Sequence, residues 1–371
     1  MAIPPYFIYL DTKIIGAVKQ TITFFEHGVF PRENTIILVK KYKHKSAKII
    51  ERALNKASLN YHFVNAAYLD ALKEGVIFYP FNAQSNCRAV ANRNLTHIFI
   101  THGESNKITS VKPIVRIYDH VITAGNAGID RLIAHKIFSQ YDVEAGKIIP
   151  MGDTFIGKTG LDHTGKGIPA IFYVPTWEGG IEQENYSSLS YVGQVTNTLL
   201  LLSKHYQINE IVIRPHPNTG HRLQNYHQFL MDIVKTLLHK GLKVTLYKPH
   251  VGLTFSQAWK LRRNGGTLTS DLSKFYAIIG LCDISAIESQ LLNENIFYYL
   301  FCSKAQKEYL ISLKNSQYYK TNTLTFGEKL YFHHISKDDF YQLRNYMIEQ
   351  NYLNIPLNQR IEQLLAKLNQ L

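Results

Sequence analysis

Short apolar runs rich in β-branched and aromatic residues recur along this chain, and longer stretches with apolar residues at helical spacing separate them. That alternation is the pattern of βα units and mainly parallel sheets. In the first half the runs predict strands over Tyr6–Leu10, Thr35–Val39, Tyr61–Val64, Val76–Tyr79, His97–Thr101 and His120–Ala124, with helices over Ser46–Ala57 and Ala127–Ser139. A polar, glycine-rich segment, Gly157 to Gly167, interrupts the rhythm and reads as a linker. The pattern then restarts. Strands are predicted over Ala170–Val174, Glu210–Ile213, Lys243–Tyr247, Phe275–Gly280 and Ile296–Leu300, and helices over Ser188–His205 and Asn225–His239. From Lys337 to Leu371 the tendency is helical, with Pro356 allowing a break.

At 371 residues, 45% of them hydrophobic, the chain is too long for one comfortable core, so two ordered domains are expected. The economical arrangement is an N-terminal Rossmann-like domain over residues 1–160 and a C-terminal one over 168–371. The second would carry the C-terminal helices, which could pack back across the domains. A formal charge of +13 predicts anionic partners: nucleic acid, lipid or phosphorylated substrates. Cys87, Cys282 and Cys302 lie far apart without metal-ligand spacing, so neither a disulfide framework nor a zinc site is expected. The first ten residues have no basic n-region, and no apolar stretch reaches the roughly 20 residues that span a bilayer. A cytoplasmic protein able to sit on a membrane surface is the expectation.

Four motifs follow predicted strands. His102-Gly103-Glu104-Ser105-Asn106-Lys107 places a histidine where a strand ends, able to take a proton from a hydroxyl near neutral pH. Glu104 reads there as a surface residue and Lys107 as a phosphate contact or a solvated cation. In Pro175-Thr176-Trp177-Glu178, Thr176 and the following backbone could bond a phosphate or ribose, while Trp177 reads as packing at a domain junction. Arg214-Pro215-His216-Pro217 closes an apolar strand, and an arginine with a histidine suits an oxyanion better than a metal. Asp283-Ile284-Ser285, before a helical run, reads as an N-cap that leaves backbone N–H groups for a pyrophosphate, and Ser270-Asp271 as the cap of an earlier turn that could line a nucleotide pocket.

In this order the motifs His-Gly-x-x-x-Lys, Pro-Thr-Trp, Arg-x-His-Pro and Asp-x-Ser resemble the CDP-glycerol glycerophosphotransferase family, the wall teichoic acid primases and polymerases and their bacterial capsule-synthesis relatives. The resemblance spans roughly residues 95–300 and includes Tyr118 to Asn126. It implies a GT-B fold, two Rossmann-like domains facing a cleft. It also implies His102 as the base on the acceptor hydroxyl, Arg214 and His216 at the donor diphosphate, and Asp283 and Ser285 in the family's Asp-Tyr-Ser-Ser turn. Here Ile284 replaces that turn's aromatic residue and Ala286 its second serine.

The activity so implied is transfer of a polyol phosphate from CDP-glycerol to a hydroxyl of a lipid-linked glycan in capsule or teichoic acid-like polymer synthesis, with release of CMP. His102 and His216 would be catalytic. Arg214, Ser270, Asp271, Asp283, Ser285 and Thr176 would bind the donor, and Lys107 the acceptor or a phosphate. No cofactor or essential metal is expected, since basic and histidine side chains would neutralise the phosphates. The partners would be the CDP-activated polyol, the glycan acceptor, other capsule or cell-wall assembly enzymes and the anionic inner face of the cell membrane, with Lys40 to Lys45 as the densest basic patch. A GT-B glycosyltransferase of capsule synthesis using a CMP- or UDP-sugar is the alternative enzyme. A nucleic-acid-binding module is disfavoured because the cations are dispersed and no aromatic-basic motif occurs.

Overall fold

The computed structural model of the chain describes residues 6–13, 15–42, 44–101, 104–107, 111–179 and 184–368, the side chains of His44 and Lys45 aside. The chain forms two compact units, one of residues 1–104, 111–157 and 345–371, the other of residues 105–110 and 158–344. The first holds seven strands: β1 (Tyr6–Leu10), β2 (Thr35–Lys40), β3 (Tyr61–Val64), β4 (Val76–Tyr79), β5 (Thr96–Phe99), β6 (His120–Thr123) and β7 (Ile148–Pro150). All pair in parallel, in the order β3-β2-β1-β4-β5-β6-β7. The second unit has β8 (Ile168–Val174), β9 (Glu210–Ile213), β10 (Lys243–Tyr247), β11 (Thr267–Thr269), β12 (Phe275–Asp283), β13 (Tyr298–Cys302) and β14 (Thr323–Thr325). They form a second parallel sheet, β11-β10-β9-β8-β12-β13-β14.

Both orders reverse direction beside their first strand, between β1 and β4 and between β8 and β12. In sheets of this kind a ligand crevice opens at the carboxyl ends there. Helices cover both faces of a doubly wound sheet, so its central strands read as unbroken apolar runs. Accordingly β1 and β13 are buried at every position.

Several element ends depart from the sequence expectation, each for a local reason. The helix expected to reach Ser139 is Asn126–Ala134, because Lys136 turns to a left-handed φ of 56° and Ile137 N–H donates to Leu132. Likewise Asn295 at φ 55° delays β13 to Tyr298. Gly280 does not end β12: its missing Cβ lets the Tyr298 Cβ of the next strand sit 3.0 Å from where its own would be. From Lys158 on, the expected linker is ordered in the second unit. Asp162 accepts N–H bonds from Thr164, Lys166 and Gly167 at 2.8–2.9 Å, which hold its carboxyl below the usual range.

The C-terminal helices require the main correction to the expected domain limits, since residues 345–371 pack into the first unit although they follow the second. Ile361 and Leu364 of helix Leu357–Leu368 join the core of β1, β2 and β4. Buried Arg360 pairs with Asp153 and, at 3.1 Å, with the Thr154 hydroxyl. The returning backbone presses on Gly125, where an added Cβ would lie 2.8 Å from the Met347 carbonyl and 2.9 Å from Ile348 N. A Gly125→Ala variant is therefore expected to be less stable by about 1–3 kcal/mol, the range of overpacking. Urea titration checks this, and an unchanged midpoint would mean that the backbone at Met347 and Ile348 yields. Among the described residues no helix is long and apolar enough to cross a membrane.

Candidate functional site

Parts of three motifs, Thr176, Asp283 and Lys107, meet at the β8/β12 switch point of the second unit. β8 ends at Val174, and Pro175 then stops its ladder. On the neighbouring strand β12 ends on Asp283, which has no solvent exposure. Asp283 Oδ2 accepts from Thr176 N–H at 2.7 Å and Ser188 N–H at 3.1 Å, so one carboxyl oxygen holds two loops above the sheet. Its Oδ1 is buried with no hydrogen-bond partner among the described residues.

Asp283 therefore does not cap a helix. The N-cap of helix Ile287–Asn293 is Ala286, which has no side-chain cap. The Ser285 hydroxyl donates to the Asp283 carbonyl at 3.2 Å.

Lys107 joins this cluster from far away in sequence. Its ammonium donates to Thr176 Oγ1 at 2.9 Å and lies 5.2 Å from the Tyr186 ring centroid. The adjacent Asn106 donates to the Tyr319 hydroxyl at 2.9 Å, so residues 105–107 are anchored in the second unit. Burial shifts both ionisable groups. It pulls the Lys107 ammonium down to about 8, against the attraction of Asp283. It pushes the Asp283 carboxyl up to about 7, against the bonds from Ser188 and Thr176 and the charge of Lys107. A cation, a hydroxyl and a carboxyl poised near neutrality thus share one strand-end site, a common arrangement where phosphates bind or protons move.

The Arg-Pro-His-Pro turn lies one strand over, at the end of β9. Arg214 donates to the carbonyls of Lys158 at 3.3 Å and Thr159 at 2.7 Å and to Gln290 Oε1 at 2.8 Å. Burial draws its guanidinium down to about 10, so it stays cationic at neutral pH. The His216 ring stacks on Trp177, centroids 5.5 Å apart and planes 12° apart. His216 Nδ1 accepts from Asn218 N–H at 3.1 Å, which leaves the neutral ring's proton on Nε2.

Two buried carboxylates missed by sequence reasoning hold this scaffold. Glu178, fully buried, accepts from the N–H groups of Gly220, Arg222 and Leu223 at 2.8–3.1 Å. Glu288 accepts from the hydroxyls of Tyr298 and Tyr319, both at 2.7 Å. Nothing in the sequence separates them from surface glutamates, since the tyrosines and the loop N–H groups that meet them lie far along the chain.

Other expected residues lie elsewhere. Ser270 and Asp271 follow the edge strand β11, three strands from β8, and are exposed. Asp271 caps its own turn, accepting from Ser273 N–H at 3.0 Å. Glu104 is buried, not on the surface: it pairs with Arg131 and accepts from Ala124 N–H at 3.0 Å within the first unit. His102 lies outside the described residues, as does Lys43 of the basic patch. Of that patch, Lys40 is paired with Asp11 at 2.9 Å. Among the described residues, no group of three or more His, Cys, Asp and Glu side chains is arranged to hold a metal ion.

No protein-family model matches the chain, and no curated protein matches it by sequence. Solved structures match it by fold. One, determined at 2.2 Å as a candidate UDP-N-acetylglucosamine 2-epimerase from Listeria monocytogenes, has a TM-score of 0.50 at 8% identity, over 99% of this chain and 96% of the other. Another, the S. aureus MnaA–UDP complex, has a TM-score of 0.48 at 9% identity, over 100% and 98%. With its two seven-stranded parallel sheets, the chain has the GT-B fold of paired Rossmann-like domains.

Proposed function

We propose that this chain is a GT-B transferase that moves a polyol phosphate, glycerol phosphate from CDP-glycerol in the first instance, onto a hydroxyl of a lipid-linked glycan and releases CMP. One observation carries the reading: Lys107, Thr176 and Asp283 converge at the β8/β12 switch point, with His216 at the end of the adjacent strand. That is where a doubly wound sheet receives a nucleotide diphosphate.

In the proposed reaction the acceptor oxygen attacks the β-phosphorus in line. An oxygen–phosphorus bond forms as the bond to CMP breaks. The acceptor's proton passes to His102, and the His216 Nε2–H is the donor suited to the departing phosphate oxygen. Lys107 and the Thr176 hydroxyl neutralise and orient the phosphates, which is the main catalytic contribution available in phosphoryl transfer. Arg214 already binds two carbonyls and Gln290, so its part is to fix residues 158–159 beneath the donor as much as to touch it. The enzyme would work at the inner face of the cell membrane, where such acceptors reside, without a cofactor or essential metal.

The second reading, a glycosyltransferase using a CMP- or UDP-sugar, draws on the fold shared with a candidate sugar-nucleotide epimerase. Incubation with CDP-glycerol, CDP-ribitol and CMP- and UDP-sugars separates the two. The expected result is CMP release from a CDP-polyol with a new phosphodiester in the product. Nucleotide release only from a sugar donor, with a new glycosidic bond, would replace it by the second reading.

A further inference from the structure

The nine-residue helix Phe255–Arg263 reverses the usual polarity of a surface helix. Such a helix ordinarily turns an apolar stripe inward and a polar face to water. Here Leu261 is the buried residue, while Phe255 is 89% and Trp259 56% exposed. Spaced four apart, the two aromatic rings lie on one face, and Leu261 projects from the other. The helix is firmly started by a capping box between Thr254 and Gln257, so the aromatic pair is displayed on an ordered element.

The charge around the pair has one sign. From Ile233 through Ser270 the sequence contains no Asp or Glu, and Lys260, Arg262 and Arg263 occupy the last turn of the helix. The Arg263 guanidinium lies 5.4 Å from the Trp259 ring centroid, beside the aromatic face and not away from it. Exposed aromatic rings followed by a basic last turn on a short helix fit the interface of an anionic bilayer. Rings sit at headgroup depth there, and cations meet lipid phosphates. Nucleic acid, by contrast, is held in grooves that follow its backbone.

The position suits the site. The helix leaves the carboxyl end of β10 through residues 248–254, and His250 Nδ1 lies 2.8 Å from the Pro215 carbonyl of the Arg-Pro-His-Pro turn. Phe255 therefore begins the helix a short loop beyond the carboxyl end of β10, the strand beside β9 and its Arg-Pro-His-Pro turn.

We infer that the helix Phe255–Arg263 is the surface by which this chain docks on an anionic membrane, with Phe255 and Trp259 entering the headgroup layer and Lys260, Arg262 and Arg263 pairing with lipid phosphates. The inference rests on the reading of the acceptor as lipid-linked and names the element that meets the lipid.

The test is flotation of the full chain with phosphatidylcholine vesicles, with and without phosphatidylglycerol. Wild type is expected to float with the anionic vesicles only and to lose binding at high salt. A Phe255→Ser/Trp259→Ser variant should bind them at least about tenfold more weakly. Its CMP release from CDP-glycerol with a water-soluble acceptor should stay unchanged. The chain's other tryptophan is Trp177, so in a Trp177→Phe variant the emission of Trp259 reports the site directly and should shift to the blue on vesicle addition.

Equal flotation of wild type and double variant would overturn this inference and leave the lipid-linked acceptor standing, as would Trp259 emission that stays fixed in vesicle-bound protein. Loss of oligonucleotide binding or of self-association in the double variant, with vesicle binding intact, would also overturn it. A wild type that never floats would overturn both.

Discussion

An Asp283→Ala variant is expected to lose about 2–6 kcal/mol of stability, because the buried N–H groups of Thr176 and Ser188 would each be left without their acceptor at about 1–3 kcal/mol apiece. Asp283→Asn keeps an amide oxygen for both donors and should cost far less. The second variant is the more informative, since it removes the proton as well. The folded carboxyl titrates near 7, against the ordinary 3.8 of an unfolded aspartate. Between those values the native state binds more protons than the unfolded one, so this group's contribution to stability falls as pH rises through the window. Lys107 acts above it: a folded value near 8 against 10.5 makes its contribution rise with pH beyond about 8. Urea midpoints at pH 5 and pH 8 should therefore show wild type losing on the order of 1–3 kcal/mol more than the Asp283→Asn variant. Parallel losses would mean that Asp283 stays ionised as the counter-charge of Lys107.

For His102→Ala, turnover of CDP-glycerol is expected to fall by about 10²–10⁴-fold, the usual worth of a general base, with little change in the KM for donor. A base acts on the acceptor hydroxyl in the transition state and contributes little to donor binding in the ground state. Stopped-flow or end-point CMP release with a synthetic acceptor measures the fall. Near-normal turnover would remove His102 from the mechanism and move the search for a base elsewhere.

Strand positions were largely legible because parallel strands are buried on both faces and cannot hide their composition. Val76–Tyr79, Glu210–Ile213 and Lys243–Tyr247 occur as the apolar runs indicate. The three-residue strands Thr267–Thr269 and Thr323–Thr325 were not legible. Both read Thr-Leu-Thr and lie at sheet edges, so the sheet rather than local propensity makes them strands. Thr176 and Asp283, each read beside a predicted strand end, do meet at the β8/β12 switch point. Roles were harder to read. Asp283 looks like a helix cap from its neighbours, and only the return of residues 176 and 188 to its side makes it an internal brace. Lys107 lies within the expected limits of the first domain, yet its partner Thr176 is in the second unit, a pairing across sequence that no local pattern contains.

The helix Leu357–Leu368, inserted into the core of the first sheet, has a consequence for how the protein is made. On a ribosome the N-terminal sheet emerges first, but Ile361, Leu364 and the Arg360–Asp153 pair come only after the whole second unit has been translated. At about 5–20 residues per second the nascent first unit then spends roughly ten seconds or more with part of its apolar surface uncovered. Its earliest-made strands thus complete their packing last, and in that interval they depend on chaperones or on delayed collapse to avoid pairing with another chain.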